Sequence, residues 1–318
     1  MARQRETCGI SRENRCALTG ISPLWLSVGA LCFLFGTVGY CDDAVERMDV
    51  RGRILIAHRG VVTDTIPENS LASLEETIRR GYTHIEVDLR STKDGHAVCL
   101  HDNSLRRAAG LSRLVSELTL AELRALAPVK TVPDFATFCA RCEGRIGLMP
   151  DIKEWPPEAE EAFAKSIEQP MIRHGLMENA FFIGKHAITK RFADRARVSW
   201  KPSLEEARAS DHIRNAPGRH LFIFGHAVAF DAPTVRGFQA LGLKVIVSIN
   251  IFHYLRVGDW EENGNRDVAR MIEYGVDGLQ IDSVYEPAFR EHVATEITAI
   301  TPAACRPAPP TSVASTAD

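Results

Sequence analysis

The chain has 318 residues, a formal net charge of −3, 45% hydrophobic residues and 25% charged residues. This is an ordinary globular composition, long enough for one large α/β barrel or two smaller domains. The near-neutral balance, with no basic stripe interleaved with aromatics, sets aside nucleic acid as a partner.

The first 48 residues differ from the rest. Arg3, Arg5, Arg12 and Arg15 outweigh Glu6 and Glu13, and no charge then occurs from Cys16 to Tyr40. A basic start followed by an apolar run is the layout of an export signal. It is also nearly long enough for a membrane anchor, which needs about 20 apolar residues. Either reading places the body of the protein outside the cytoplasm, periplasmic or extracellular, with membrane association through this segment if it is an anchor. A mis-assigned start or a buried apolar segment is the alternative. Four of the eight cysteines (Cys8, Cys16, Cys32 and Cys41) lie here, whereas Cys139 and Cys142 form a CxxC with no second pair at zinc spacing and read as core filler.

Residues 49–300 alternate short β-like runs with helical patterns. The strand candidates are Ile54–His58, Ile85–Leu89, Ala97–His101, Ile146–Lys153, Ala180–Gly184, Val198–Lys201, Leu221–Gly225, Val245–Asn250 and Gly278–Asp282. Amphipathic stretches lie between them, at Ser70–Arg80, Leu120–Leu126, Glu158–His174 and Thr234–Leu241. Thr119 and Glu122 make a capping-box start, and Gly81, Gly175, Gly242 and Gly275 follow helical patterns where a C-terminal glycine belongs. This alternation predicts a single (β/α)₈ TIM barrel with its active site at the C-terminal strand ends. Nine candidates compete for eight places, and Leu221–Gly225 is taken as the extra one, with Ala180–Gly184 as the other choice. The runner-up is a doubly wound open sheet. From Thr301 onward the chain is rich in Pro, Ala, Ser and Thr, and residues 301–318 read as a disordered tail.

Chemistry concentrates between Ala57 and Lys153. Glu86 and Asp88 are two apart on a predicted strand, so both point to one face, and convergent carboxylates can hold a hard divalent cation. Asp151 and Lys153 repeat that spacing; Asp151 is a candidate third oxygen ligand and Lys153 a point charge for phosphate. The plainer reading of that pair is an Asp and a Lys that satisfy each other. His58 and His101 each end an apolar run, where imidazoles can serve as base and acid near neutral pH. Arg59 offers a bidentate fork. His186, His226 and His253 lie near later strand ends and read as structural, while Trp155 and Phe252 are candidates for shaping the pocket.

The order His58-Arg59-Gly60, Pro67-Glu68-Asn69-Ser70, Glu86-Val87-Asp88, Thr92-Lys93-Asp94-Gly95 and His101-Asp102 resembles the glycerophosphodiester phosphodiesterase family over most of residues 54–153. The resemblance implies that His58 and His101 are the acid–base pair and that Glu86, Asp88 and Asp151 hold one divalent cation, Mg²⁺ or Ca²⁺. It further implies that Arg59 and Lys153 contact phosphate and that Glu68 and Asn69 brace the rim. The implied activity is hydrolysis of small-molecule glycerophosphodiesters to glycerol phosphate and an alcohol through a cyclic phosphate.

Three positions depart from the family pattern. Asp151 replaces a glutamate, Val247 and Ser248 replace an aromatic and a threonine, and Ile281 replaces a threonine before Asp282. Loss of the aromatic at Val247 would open the alcohol side of the pocket. Asp151 instead resembles the lysophospholipase-D and sphingomyelinase-D-like branch, which takes lysolipid substrates and releases a cyclic phosphate. A non-catalytic phosphodiester-binding barrel is the alternative from another class.

Overall fold

The computed structural model describes residues 50, 52–126, 132–184, 187–211, 213 and 220–300. The leader (1–48), the tail (301–318) and His186 lie outside these residues.

Eight parallel strands close on one another. They are β1 (Ile54–Ala57), β2 (His84–Ser91), β4 (Gly147–Ile152), β5 (Phe181–Phe182), β6 (Arg197–Trp200), β7 (Leu221–His226), β8 (Lys244–Ile249) and β9 (Gly278–Ile281). Each pairs with the next, and β9 pairs back onto β1 with Leu55 opposite Leu279. Between β4 and β5 the pairing is a single bridge, Asp151 to Ile183, supported by Ile183 N–H donating to Pro150 O at 3.1 Å. Helices follow the strands: α1 (Leu71–Arg80), α2 (Phe135–Cys142), α3 (Glu160–Arg173), α4 (Ala187–Lys190), α5 (Leu204–Ala209), α6 (Ala232–Ala240), α7 (Trp260–Glu273) and α8 (Glu286–Ile300). The expected (β/α)₈ barrel is therefore present.

The identity of the extra strand is corrected. Leu221–His226 and Phe181–Phe182 both belong to the barrel, and the ninth strand is β3 (Ala97–Cys99), which runs antiparallel to β2. Only Thr92 to His96 separate β2 from β3, and a parallel crossover needs about a dozen residues. The turn closes through Thr92 N–H to His96 O at 2.9 Å, with Gly95 at φ +80°. β3 lies beyond the end of β1 on the same edge of β2, because β1 pairs with His84 and Ile85 while β3 pairs with Leu89 to Ser91.

Strand alternation divides the core. Ile56, Met149, Phe181, Ile183, Phe222 and Ile246 fill the barrel interior, while Leu55, Ile85, Val87, Leu148, Val245 and Leu279 pack beneath the helices. Cys139 and Cys142 on α2 are buried free thiols in the second layer, as expected of core filler. Val247 also faces the helix layer, so it forms no wall of the pocket and the expected opening at that position does not arise.

The link from β1 to α1 carries three left-handed residues: Arg59 (φ 57°), Gly60 (φ 81°) and Asn69 (φ 54°). Ser70 then caps α1, its hydroxyl accepting Ser73 N–H at 3.0 Å. Gly60 is required twice over, since a Cβ there would lie 2.6 Å from Ser73 Oγ and 2.8 Å from Ser73 Cβ. Gly60→Ala should therefore lower the unfolding free energy by about 2–3 kcal/mol. Gly110→Ala, at φ +68° with open space around it, should cost only about 1 kcal/mol. Urea midpoints of the two variants check this, and equal losses would show that Ser73 simply moves aside.

Candidate active site

Glu86 and Asp88 share the inward face of β2, both only 1% exposed, and Asp151 stands opposite Asp88 on β4. One oxygen of each lies within 4.8 Å of the others. Lys153 Nζ donates to Asp88 Oδ1 at 2.8 Å and also to Asp151. Arg59 Nε lies 3.3 Å from Asp88 Oδ2. Asn69 latches the same carboxylate, with its Nδ2 donating to Oδ2 at 2.8 Å and its Oδ1 accepting Asp88 N–H at 3.0 Å.

Glu86 and Asp88, on the same strand face, meet opposite electrostatic environments. Burial would raise the Asp88 pKa, but Lys153 and Arg59 outweigh it and hold Asp88 below its ordinary range. Glu86 accepts Arg59 N–H at 2.8 Å, and no Lys or Arg side chain among the described residues pairs with it. Burial first, then the charges of Asp88 and Asp151, push its pKa well up. A convergent oxygen trio, with Glu86 and Asp88 buried and Asp151 partly exposed, fits a hard divalent cation. Lys153 satisfies Asp151, as the plain pairing reading expected, and reaches Asp88 as well.

Each histidine is backed by a carboxylate. His58 follows β1, and its Nδ1–H donates to Asp282 Oδ1 at 2.6 Å, leaving Nε2 4.0 Å from Glu86 Oε2. Asp282 is pinned from behind by Ile251 N–H at 2.6 Å. Burial acts to raise its pKa, but the bond and charge of His58 prevail and lower it. His101 is brought to the rim by β3, where Leu100 N–H donates to Asp88 O at 3.0 Å. Its Nδ1–H donates to Asp102 Oδ1 at 2.7 Å. The hydrogen bond from Arg107 holds Asp102 at a pKa of about 2. In both pairs the carboxylate can only accept, which fixes the tautomer and leaves Nε2 free to take or give a proton.

A polar relay joins the two histidine clusters. Arg107 donates to Asp102 Oδ2 at 2.7 Å and to Glu68 Oε1 at 2.7 Å, and Glu68 Oε2 accepts Arg59 Nη1 at 3.0 Å. Sequence reasoning assigned no role to Asp102, Asp282 or Arg107. Asp102 stood beside His101 and Asp282 at a strand end, so both had a local signal; Arg107 had none.

His58, Arg59, Glu68, His101 and Asp282 line one cavity of about 570 Å³. Its outer wall is apolar, with Phe252 55% exposed and Leu255 65% exposed. Trp155 lies elsewhere, packed on Phe163 with its indole N–H on Glu160, so it does not shape this pocket. His226 and His253 stack edge to face at 3.5 Å between centroids, and neither ring hydrogen-bonds a carboxylate among the described residues.

Asn69→Gly should lower the unfolding free energy by about 2–3 kcal/mol, because Asp88 loses one charge-assisted bond and its buried N–H loses its acceptor. Glycine tolerates the left-handed backbone, so the loss reports the side chain. A urea midpoint unchanged from wild type would show that Asn69 is not a brace.

The profile of the "Glycerophosphoryl diester phosphodiesterase family" matches residues 58–210. Glycerophosphodiester phosphodiesterase 1 of Homo sapiens is 32% identical over 168 residues, which are 49% of this chain and 49% of that protein. A glycerophosphodiester phosphodiesterase of Caldanaerobacter subterraneus is 25% identical over 249 residues, covering 72% of this chain and 93% of that protein. The chain thus spans about half of the human relative, and 30% of a Mycobacterium tuberculosis relative. A phosphodiesterase of Oleispira antarctica, solved in complex with the product sn-glycerol-3-phosphate, superposes with a TM-score of 0.55 at 23% identity, covering 76% of this chain and 96% of that one.

Proposed function

The chain belongs to the glycerophosphoryl diester phosphodiesterase family, and from that footing we propose that it hydrolyses glycerophosphodiesters to glycerol phosphate and an alcohol. The observation that carries this reading is a pair of imidazoles, each backed by a carboxylate, lining one cavity beside the Glu86, Asp88 and Asp151 trio.

A divalent cation on that trio, Mg²⁺ or Ca²⁺, would withdraw charge from a non-bridging phosphate oxygen. Arg59 and Lys153 offset charge that builds on the phosphoryl group. His58 Nε2 takes the proton of the glycerol 2-hydroxyl, whose oxygen bonds to phosphorus. The bond from phosphorus to the alcohol oxygen breaks, and His101 Nε2–H protonates that alcohol. The resulting five-membered cyclic phosphate is opened by water, with the histidines exchanging roles. Asp282 and Asp102 stabilise whichever imidazole is charged.

The test is release of glycerol phosphate from glycerophosphocholine and glycerophosphoglycerol by the purified chain, with Mg²⁺, with Ca²⁺ and with a chelator. Metal-dependent release supports the hydrolase, whereas binding of the diesters without turnover under any condition would favour the non-catalytic barrel. A second reading draws on the apolar wall of Phe252 and Leu255, with Val62 and Val284 lining the same cavity. That wall suits a diester carrying an acyl chain, a lysolipid released as cyclic phosphate. Phosphorus NMR of the product separates cyclic from linear phosphate. The basic, then apolar start of the chain supports placing this activity outside the cytoplasm. No helix among the described residues is long and apolar enough to cross a membrane.

A further inference from the structure

The barrel mouth has a second lobe, a cavity of about 510 Å³ on the β4 to β7 side, bordered by Asp151, Ser199, Trp200, Phe224, Lys190 and Lys201. It touches the carboxylate trio through Asp151, yet it contains neither histidine.

Several cations near this side of the barrel are paired with acids of α3. Arg191 and Lys165 both pair with Glu161, at 2.7 and 3.4 Å, and Arg195 pairs with Glu168. None of these lines the cavity, and all are neutralised by acids of α3. Lys190 and Lys201, which line the cavity, pair with no carboxylate among the described residues. The acid that borders the lobe, Asp151, is already engaged by Lys153. Exposed lysines are ordinary on a surface, but these two border one cleft together. The field of Lys201 reaches inward: burial lowers the pKa of His226, at the end of β7, and the charge of Lys201 lowers it further.

Two uncompensated positive charges in a cleft attract an anion. The reacting phosphate is already served by Arg59 and Lys153, so the anion belongs elsewhere on the substrate. Two lysines match a dianion, and a phosphomonoester carries close to two negative charges at neutral pH. Trp200 and Phe224 supply a face for the carbon skeleton between the two phosphates.

We propose that this lobe is an anion subsite, and that the diester bears a phosphomonoester on the arm directed away from His58 and His101. The inference rests on the phosphodiesterase reading and deepens it by naming a substrate class.

The experiment compares kcat/KM of the full chain, with its divalent cation, on three diesters. Glycerophosphoglycerol phosphate carries the extra phosphomonoester, glycerophosphoglycerol is neutral at the alcohol, and glycerophosphocholine is cationic there. The phosphorylated diester should exceed the neutral one by about tenfold, mainly through KM, the scale of two partly exposed charge pairs. The choline diester should rank last, and the preference should shrink with added salt. In the Lys190→Glu, Lys201→Glu double variant the ratio of phosphorylated to neutral should fall to about one or below, while arginine at both positions keeps it. Equal kcat/KM on the phosphorylated and neutral diesters, or a ratio that survives the double glutamate change, overturns the subsite and leaves the hydrolase standing. No turnover of any of the three overturns the phosphodiesterase reading and this inference with it.

Discussion

Replacing His58 with alanine should lower kcat by at least about a hundredfold, the usual scale for losing a general acid or base. The effect should fall on kcat rather than KM. His58 spends its Nδ1–H on Asp282 and keeps Nε2 for the proton in flight, while holding the phosphate is assigned to Arg59 and Lys153. His101→Ala should match it, because Asp102 backs the second imidazole in the same way. Asp282→Asn should cost less than either, since an amide can still orient the ring but cannot stabilise its charged form. His253→Ala is the control: its ring hydrogen-bonds no carboxylate among the described residues, and its turnover should stay close to that of the parent chain. Single-turnover kinetics on a soluble glycerophosphodiester would decide the matter. Near-parental turnover in purified His58→Ala would remove the imidazole pair from the mechanism.

The second large effect is a contrast between two carboxylates of the same strand. Asp88→Ala should destabilise the protein by about 3–5 kcal/mol, because Arg59 and Lys153 would keep buried charge with their shared partner gone. Glu86→Gln should behave in the opposite way. Burial, Asp88 and Asp151 already disfavour a charged Glu86, so a neutral isostere that still accepts Arg59 N–H should leave metal-free stability close to the parent. The same change removes one oxygen ligand, so calorimetric binding of Mg²⁺ or Ca²⁺ should weaken sharply. Added cation should then raise the unfolding midpoint of the parent far more than that of Glu86→Gln. A Glu86→Gln protein that binds the cation as tightly as the parent would take Glu86 out of the ligand set.

The parity of Glu86 and Asp88 was readable from the chain because strand side chains alternate, and the apolar Ile85, Val87 and Leu89 declared which face went under the helices. The same parity places Val247 under the helices, so a comparison with a family pattern alone does not reveal which way it faces. The count of barrel strands failed for a different reason. Hydrophobic runs identify strands but not their direction, and the direction of Ala97–Cys99 is set by the length of its connection and by Asp94-Gly95, a turn dipeptide. Asp282 and Asp102 escaped assignment because a partner carboxylate is defined by what it meets across the fold. Asp282 is 224 residues from His58, a pairing that only closure of the barrel creates.

The relay through Glu68 and Arg107 has a consequence for protein engineering. Rim loops of barrels are commonly treated as separate modules, exchangeable one at a time for new specificity. Here the loop after β1 and the loop after β3 share one carboxylate, with Glu68 held by Arg59 on its own loop and by Arg107 on the other. A chimera that replaces only the first loop leaves the host's Arg107 without Glu68 and loosens the backing of His101, and one that replaces only the second leaves the host's Glu68 with half its anchorage. The two loops form a single transplantable cassette, and libraries built on this scaffold should draw residues 58–70 and 97–107 from the same donor.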